Sequence, residues 1–287
     1  MPISTYIKLK NKQLKDINNL ISICNTYEGL NRTPILNNEN FYTDMKSYFL
    51  YYEKKELISV LIIDQLAYSE VEITGYTLPH FRRQGYFYRL LEKAMDELVY
   101  FDIFKILFIV EPNCKSGMLA AKALAEYAYS EYMLLYDLPV TDNLIKNNGK
   151  NIQYKEICEI EDLNEQVINS SQLSESFETA KIAIQTENVV CLEAYIDDEI
   201  VGLCNVSLEM NKAYLFGLYI LENFRRQGIG YSFVQHIIDI GMRAGKQGIT
   251  LQVGNNPKAL NLYLKIGFHV LDQLDYYVFY IAEEEDD

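Results

Sequence analysis

The stretch that decides the fold reads ILENFRRQGIGY, at residues 220–231, and its central pentapeptide FRRQG also occurs at residues 81–85. The two copies are 143 residues apart, which is about half of the chain. An apolar run typical of a β-strand precedes each copy, at residues 71–78 and 213–220, and helical apolar spacing follows each copy. This repeat predicts two tandem copies of one α/β unit.

The segments after the pentapeptide also correspond. A second apolar strand is predicted at residues 106–110 in the first copy and at residues 249–253 in the second. A further helix is then predicted in each copy. Both helices carry the pattern Ala-x-x-x-Tyr, formed by Ala123 and Tyr127 in the first copy and by Ala259 and Tyr263 in the second.

The segments before the pentapeptide extend the correspondence. Residues 49–63 and 192–206 each read as strand, polar turn and strand. A polar, Asn-rich stretch at residues 142–151 is typical of a linker. We therefore expect an α/β fold with one domain at residues 1–145 and a second at residues 150–287.

Composition indicates a globular protein that is not fibrous, disordered or membrane-spanning. Apolar residues make up 49% of the 287 residues and charged residues 23%. The apolar runs are too short to cross a bilayer, and the first residues lack the apolar core of a signal peptide. The five cysteines show no metal-type spacing, so we expect reduced thiols, no metal site and a cytoplasmic location.

Negative charge is concentrated in the second half of the chain. The formal net charge is -14; residues 1–150 hold 17 basic and 18 acidic side chains, whereas residues 151–287 hold 9 and 22. This balance disfavours binding to nucleic acid, whose backbone attracts the opposite charge. The acidic half either attracts a cationic amine or serves solubility alone.

The loop at residues 220–231 has the composition of an anion site. Gly228 and Gly230 begin a helix, and the free backbone N–H groups of a helix N-terminus bind anions. Arg225 and Arg226 add positive charge for a phosphate or pyrophosphate. The spacing fits neither the P-loop nor the dinucleotide fingerprint.

The pattern Arg225-x-x-Gly228-x-Gly230 resembles the acyl-CoA pyrophosphate loop of the GNAT family, the GCN5-related N-acetyltransferases. The segment 253–268 resembles the second signature of that family, since Asn256, Ala259, Tyr263 and the pair Gly267-Phe268 stand at the expected spacings. The resemblance implies two tandem GNAT-like units, each with a mixed, mostly antiparallel sheet flanked by helices.

The first copy departs from the family pattern. Phe87 stands where the family has Gly or Ala, and its ring would crowd the space that a pyrophosphate needs. Tyr127 is followed by Tyr-Ser-Glu-Tyr rather than by Gly-Phe. We therefore expect residues 1–145 to be degenerate for CoA and residues 150–287 to be catalytic. Activity of both copies on different steps is the alternative that Phe87 disfavours.

The resemblance implies direct transfer of an acetyl group from acetyl-CoA to an amine in a ternary complex. It assigns cofactor binding to Leu218, Tyr219, Ile220, Arg225, Arg226, Gln227, Gly228, Ile229, Gly230, Tyr231, Asn256 and Tyr263. Tyr263 would also protonate the departing CoA thiolate. Because a phenol has a pKa near ~10 and a thiol near ~8.5, this transfer is uphill by about 2 kcal/mol. Tyr263 therefore needs a lowered pKa, or acts mainly as a hydrogen-bond donor.

The sequence offers several candidates for the general base that deprotonates the amine. They are Glu209, at the end of a strand, Glu193, on the preceding strand, and Tyr219, acting through water. The acceptor is a small-molecule or peptide amine, with a cationic one mildly favoured by charge, and the oligomeric state is not predicted. A non-catalytic sensor or interaction module that binds CoA is the alternative function, since it needs the loop glycines but not Tyr263.

Overall fold

The computed structural model describes residues 3–30, 32–34, 36, 40–65, 68–138, 151–163 and 174–281. The chain forms two compact units, of which one comprises Met1–Ser130 with Gln273–Asp287 and the other Glu131–Asp272. These units are not the contiguous halves 1–145 and 150–287 that the sequence suggests. Most of the predicted linker at 142–151 lies outside the described residues.

The first unit contains a mixed sheet and three α-helices. The elements are β1 (Ser4–Tyr6), α1 (Asn11–Glu28), β2 (Tyr48–Glu53), β3 (Glu56–Asp64), β4 (Glu70–Thr77), α2 (Tyr86–Tyr100), β5 (Lys105–Val110) and α3 (Lys115–Leu124), joined by most of the last strand of the chain, β12 (His269–Tyr280). The strands pair in the order β1, β2, β3, β4, β5, β12, and only the contact between β4 and β5 is parallel. A 3-10 turn at Pro79–Phe81 links β4 to α2.

The second unit repeats this plan. Its strands pair in the order β6, β11, β10, β9, β8, β7, with a parallel contact between β10 and β11. The elements are β6 (Glu126–Asp137), β7 (Gln153–Ile157), α4 (Ser174–Gln185), β8 (Val189–Ile196), β9 (Glu199–Ser207), β10 (Lys212–Ile220), α5 (Ile229–Arg243), β11 (Gly248–Gly254), α6 (Pro257–Ile266) and β12 (His269–Tyr280). The 3-10 turns are Ile160–Asp162 and Glu222–Phe224.

The predicted helices and hairpins form for the expected reasons. Helix α5 buries Phe233, Val234, Ile237 and Ile238, which share one face at helical spacing. The turn between β8 and β9 places Asp197-Asp198 at φ +50° and +63°. Positive φ at both central residues matches the right-handed twist of a two-residue hairpin. The corresponding turn of the first unit, Lys54-Lys55, has φ +44° and +78°.

The last strand of each unit comes from the opposite half of the sequence. In the first unit, β5 pairs with residues 275–280 of β12. In the second unit, β11 pairs with residues 131–137 of β6. The prediction that Tyr127 lies on a helix is wrong, because α3 ends at Leu124 and Ala125 already has extended dihedrals. Tyr127 belongs to β6 and is exposed.

In the described part of the chain, no helix is both long and apolar enough to span a membrane. None of the His, Cys, Asp and Glu side chains in that part gather in groups of three or more that could hold a metal ion.

Candidate active site

In the second unit β10 pairs with its parallel neighbour β11 over only part of its length, and the gap beyond the paired part is termed the cleft. The two strands pair only from Lys212 to Leu215 on the β10 side. Beyond that point β10 carries a β-bulge between Phe216 and Tyr219, and Gly217 within it has φ +63°. A bulge bends its strand and locally ends the pairing, which is why bulges are frequent beside active sites.

The backbone of β10 turns hydrogen-bonding groups toward this cleft. The N–H of Leu221 donates to the carbonyl of Val201 on β9, with 3.0 Å between N and O. Since N–H and C=O groups alternate in direction along a strand, those of Ile220 point away from β9 and toward the cleft. The Tyr219 carbonyl instead faces β9, because a Cβ on Gly202 would lie 2.6 Å from its oxygen.

The loop after β10 presents an open helix N-terminus. Arg226 at φ +66° and Gly228 at φ +82° turn the chain into α5. The first hydrogen bond of α5 runs from the N–H of Ser232 to the carbonyl of Gly228, at 3.1 Å. The preceding N–H groups have no partner within the helix, so they can bind an anion. A Cβ on Gly228 would meet no atom within 4 Å, which leaves space above the loop.

The two arginines of the loop have different surroundings. Arg225 donates from Nε to the carbonyl of Ile220 at 2.9 Å, pairs with Glu222 at 3.2 Å and lies over the Tyr219 ring. It therefore ties the loop to the end of β10. Arg226 is exposed beside the open N-terminus and is the better placed of the two to reach a phosphate. Gln227 also stabilises the loop, by donating to the carbonyl of Asn223.

The first unit has the same loop, but its strand β4 and the side chain packed on that strand differ from their counterparts in the second unit. Arg82 donates from Nε to the carbonyl of Thr77 at 3.1 Å, as Arg225 does to Ile220. The ring of Phe87 lies directly against Gly75 of β4 and fills the space that a side chain there would take. Strand β4 pairs with β3 without any bulge. That the first copy is degenerate for CoA stays a prediction.

Asn256 and Tyr263 are the two residues of the second signature. The side-chain oxygen Oδ1 of Asn256 accepts a hydrogen bond from the N–H of Lys258 at 3.0 Å, so this side chain caps α6. Tyr263, on α6, is only 7% exposed and packs edge-on against Phe268. Burial, followed by the nearby Cys204, raises the pKa of Tyr263. The phenol therefore stays protonated, so Tyr263 is suited to donate a hydrogen bond and poorly suited to act as a strong acid.

The two carboxylate candidates lie in different surroundings. Glu193 on β8 is fully buried and accepts a hydrogen bond from the Tyr195 hydroxyl. Glu193 pairs with Leu203 of β9, which in turn pairs with Tyr219 of β10. These three residues form one row across the sheet, and the row ends at the bulged part of β10. Glu209 is exposed in the turn before Lys212, and β10 rises roughly 3.3 Å per residue from there to Ile220. The structure therefore does not bring Glu209 together with the cleft.

Sequence reasoning missed Asn205 on β9. Its side chain is fully buried, and neither amide atom has a hydrogen-bond partner among the described residues. A Cβ on residue 217 would lie 2.8 Å from Asn205 Nδ2, so the amide requires glycine at the bulge. The one available signal was a polar asparagine within an apolar strand. The equivalent residue of the first copy, 143 positions earlier, is the apolar Ile62.

Replacing Asn205 with leucine should stabilise the protein. A buried polar group without a partner costs roughly 1–3 kcal/mol, and leucine fills a similar volume. We expect the free energy of unfolding in urea to rise by about 1 kcal/mol. Asn205→Ala is the control, because it leaves a cavity and should lower that free energy. A lower stability for Asn205→Leu would mean that the amide has a stabilising partner, such as a buried water.

Comparison with protein families agrees with this geometry. Residues 154–268 match the family described as acetyltransferase (GNAT) family. The second unit therefore contains a GNAT domain at residues 154–268. The resemblance that two separate motifs suggested is confirmed. The sequence matches none of the curated proteins.

Solved structures extend the likeness to the whole chain. The chain is similar to a GCN5-related N-acetyltransferase from Sphaerobacter thermophilus, with 15% identity, coverage of 93% of this chain and 92% of the other, and a TM-score of 0.71. A tandem GNAT protein from the clavulanic acid biosynthesis pathway has 13% identity, coverage of 99% and 100%, and a TM-score of 0.65. A GNAT acetyltransferase from Colwellia psychrerythraea has 14% identity, coverage of 97% and 100%, and a TM-score of 0.59. The chain thus has the fold of tandem GNAT proteins.

Proposed function

We propose that the protein is an N-acetyltransferase that transfers an acetyl group from acetyl-CoA to an amine, with its active site in the second unit. The observation that carries this proposal is the cleft beside the β10 bulge, which ends at the open N-terminus of α5. The cleft offers peptide groups for an extended polar chain. The helix N-terminus and Arg226 offer an anion site at its end.

The residues of this loop fit acetyl-CoA, which would supply the activated thioester. The N–H groups of residues 228–231 and the Arg226 guanidinium would bind the pyrophosphate. The N–H groups of Leu218 and Ile220 would hold the pantetheine arm and donate to the thioester carbonyl oxygen as negative charge develops there. Tyr263 would donate a hydrogen bond to the sulfur that leaves.

Direct attack by the amine is favoured over a covalent acyl-enzyme. A cysteine nucleophile must reach its thiolate form. Burial raises the pKa of Cys191 to about 12, and burial also raises the pKa of Cys204. Both thiols stay protonated near neutral pH, so neither is suited to accept the acetyl group.

Glu193 is the base that the geometry favours, since it is buried on the row that leads to Tyr219. The acidic second half of the sequence supports a small primary amine or peptide amine that arrives as an ammonium ion. We propose a cytoplasmic protein that acts on such an amine.

Isothermal titration of acetyl-CoA tests the cofactor site. We expect one site per wild-type chain and an affinity lowered roughly 10- to 100-fold by Arg226→Glu, because a charged hydrogen bond contributes ~1.5–3 kcal/mol. Arg83→Glu is the matched control, since Arg83 holds the same loop position in the first unit at φ +61°. That variant should bind acetyl-CoA with unchanged affinity.

Two outcomes would contradict the proposal in different ways. Two sites per wild-type chain would mean that the first unit also binds the cofactor despite Phe87. No binding at all would leave the loop as a structural element and favour an interaction module.

A further inference from the structure

The first unit contains a cavity of about 780 Å³ that the proposed reaction does not use. It lies between α1, β4, the loop before α2, β5 and α3. Sites for small molecules typically measure ~300–1,000 Å³ and are lined mainly by apolar side chains with a few polar groups. The cavity therefore has the size of a ligand site, in the unit that the sequence predicts to be degenerate for CoA.

Its wall is predominantly apolar. Strands β4 and β5 contribute aliphatic and aromatic side chains, α3 closes the opposite side with small and aliphatic residues, and the start of α2 adds a ring. The side chains that define this wall are Ile73, Phe87, Phe108, Val110, Leu119 and Leu124. An alkyl or aryl ligand body fits this wall, because apolar groups leave water for an apolar surface with a gain in free energy.

The charged groups inside the wall are already paired with each other. Arg82 forms an ion pair with Glu28, and these side chains are only 18% and 9% exposed. Ser116 donates to the same Glu28 oxygen at 2.8 Å, and Arg82 Nε is occupied by the carbonyl of Thr77. Arg83 also borders the cavity, but it is exposed and solvated at the rim. Among the described residues that line the interior, no charge is left unpaired to attract an ionic ligand.

The same wall excludes the ligand of the second unit. Phe87 packs its ring against Gly75, whereas the corresponding residue of the second unit is Gly230, which has no side chain. A pyrophosphate placed against Gly75 would have to displace an aromatic ring from its packing, at a cost comparable to the loss of a buried side chain.

We infer that the first unit binds an uncharged small molecule with an alkyl or aryl body in this cavity, at a site separate from the acetyl-transfer site. The inference does not depend on acetyl-CoA binding by the second unit.

The test uses N-phenyl-1-naphthylamine, a neutral apolar fluorophore, with the full-length protein. We expect saturable binding of one probe per chain and displacement by decanol at lower concentration than by decanoate. Ala120→Phe projects a ring from α3 into the cavity and should weaken probe binding at least roughly 10-fold. Lys122→Phe is the matched control, because Lys122 is exposed on α3 and does not line the cavity.

A second readout keeps the test valid if Ala120→Phe does not fold. Cys114 lines the cavity and is half-exposed, whereas Cys158 is exposed elsewhere. In a Cys158→Ser protein, saturating probe should slow alkylation of Cys114 by N-ethylmaleimide roughly 10-fold. Unslowed alkylation, absent binding, or unchanged binding by a folded Ala120→Phe protein would overturn the inference. Displacement by decanoate at a lower concentration than by decanol would overturn the inference that the ligand is uncharged.

Acetyl-CoA separates this site from the proposed function. It should not displace the probe from an Arg226→Glu protein, in which the loop of the second unit is impaired. Displacement there would assign the cavity to the cofactor and overturn the inference. Failure of the wild-type protein to bind acetyl-CoA in the separate titration would contradict the proposed function alone.

Discussion

Tyr263→Phe is expected to lower kcat for acetyl transfer roughly 100- to 1,000-fold, because removal of one donor to a developing negative charge typically has that effect. The dissociation constant of acetyl-CoA should stay within about twofold, since the ring remains packed and only the hydroxyl is lost. The measurement is release of the CoA thiol with an amine found by screening, alongside isothermal titration. Tyr277→Phe is the matched control, a buried tyrosine of the first unit.

The pH dependence of kcat shows whether Tyr263 acts as a hydrogen-bond donor or as a proton-donating acid. Because burial raises the pKa of Tyr263, the hydroxyl is protonated at all pH values up to its ordinary value of ~10. The kcat profile should therefore show no loss from tyrosine ionisation below about pH 10. A falling limb between pH 7 and 9 in wild type that disappears in Tyr263→Phe would contradict this. Unchanged turnover in the variant would remove Tyr263 from the mechanism.

The repeat made the fold predictable from the sequence. The FRRQG pentapeptide required the same strand, turn and helix in both halves, and the structure gives Arg82 and Arg225 the same bond to the end of the preceding strand. Both Gly85 and Gly228 adopt the positive φ that begins each helix. Local chemistry of this kind is encoded within about ten residues, so sequence patterns detect it.

Features that depend on distant contacts were not predictable. Each sheet takes its last strand from the other half of the chain, so contiguous domain boundaries do not describe the units. The Tyr127 spacing looked helical, but the helix ended three residues earlier. The bulge at Gly217 and the buried amide of Asn205 depend on packing between strands, which no local pattern records.

Glu193→Gln is expected to lower kcat roughly 100- to 10,000-fold, the usual effect of losing a general base. The glutamine retains the shape of the side chain and still accepts a hydrogen bond from Tyr195. Folding should therefore be retained, and circular dichroism and the affinity for acetyl-CoA check this. Glu209→Gln is the matched control; its carboxylate is exposed at the far end of β10, so kcat should stay within about twofold.

The pH profile of the variant separates a base from a residue that binds the substrate. If Glu193 removes the proton, Glu193→Gln loses rate at neutral pH but regains part of it at high pH, where the free amine needs no base. If Glu193 only binds the ammonium ion, the variant raises KM for the amine and kcat is retained. A loss of kcat in Glu209→Gln with none in Glu193→Gln would reverse the assignment. The base would then have to act from outside the row that joins Glu193 to Tyr219.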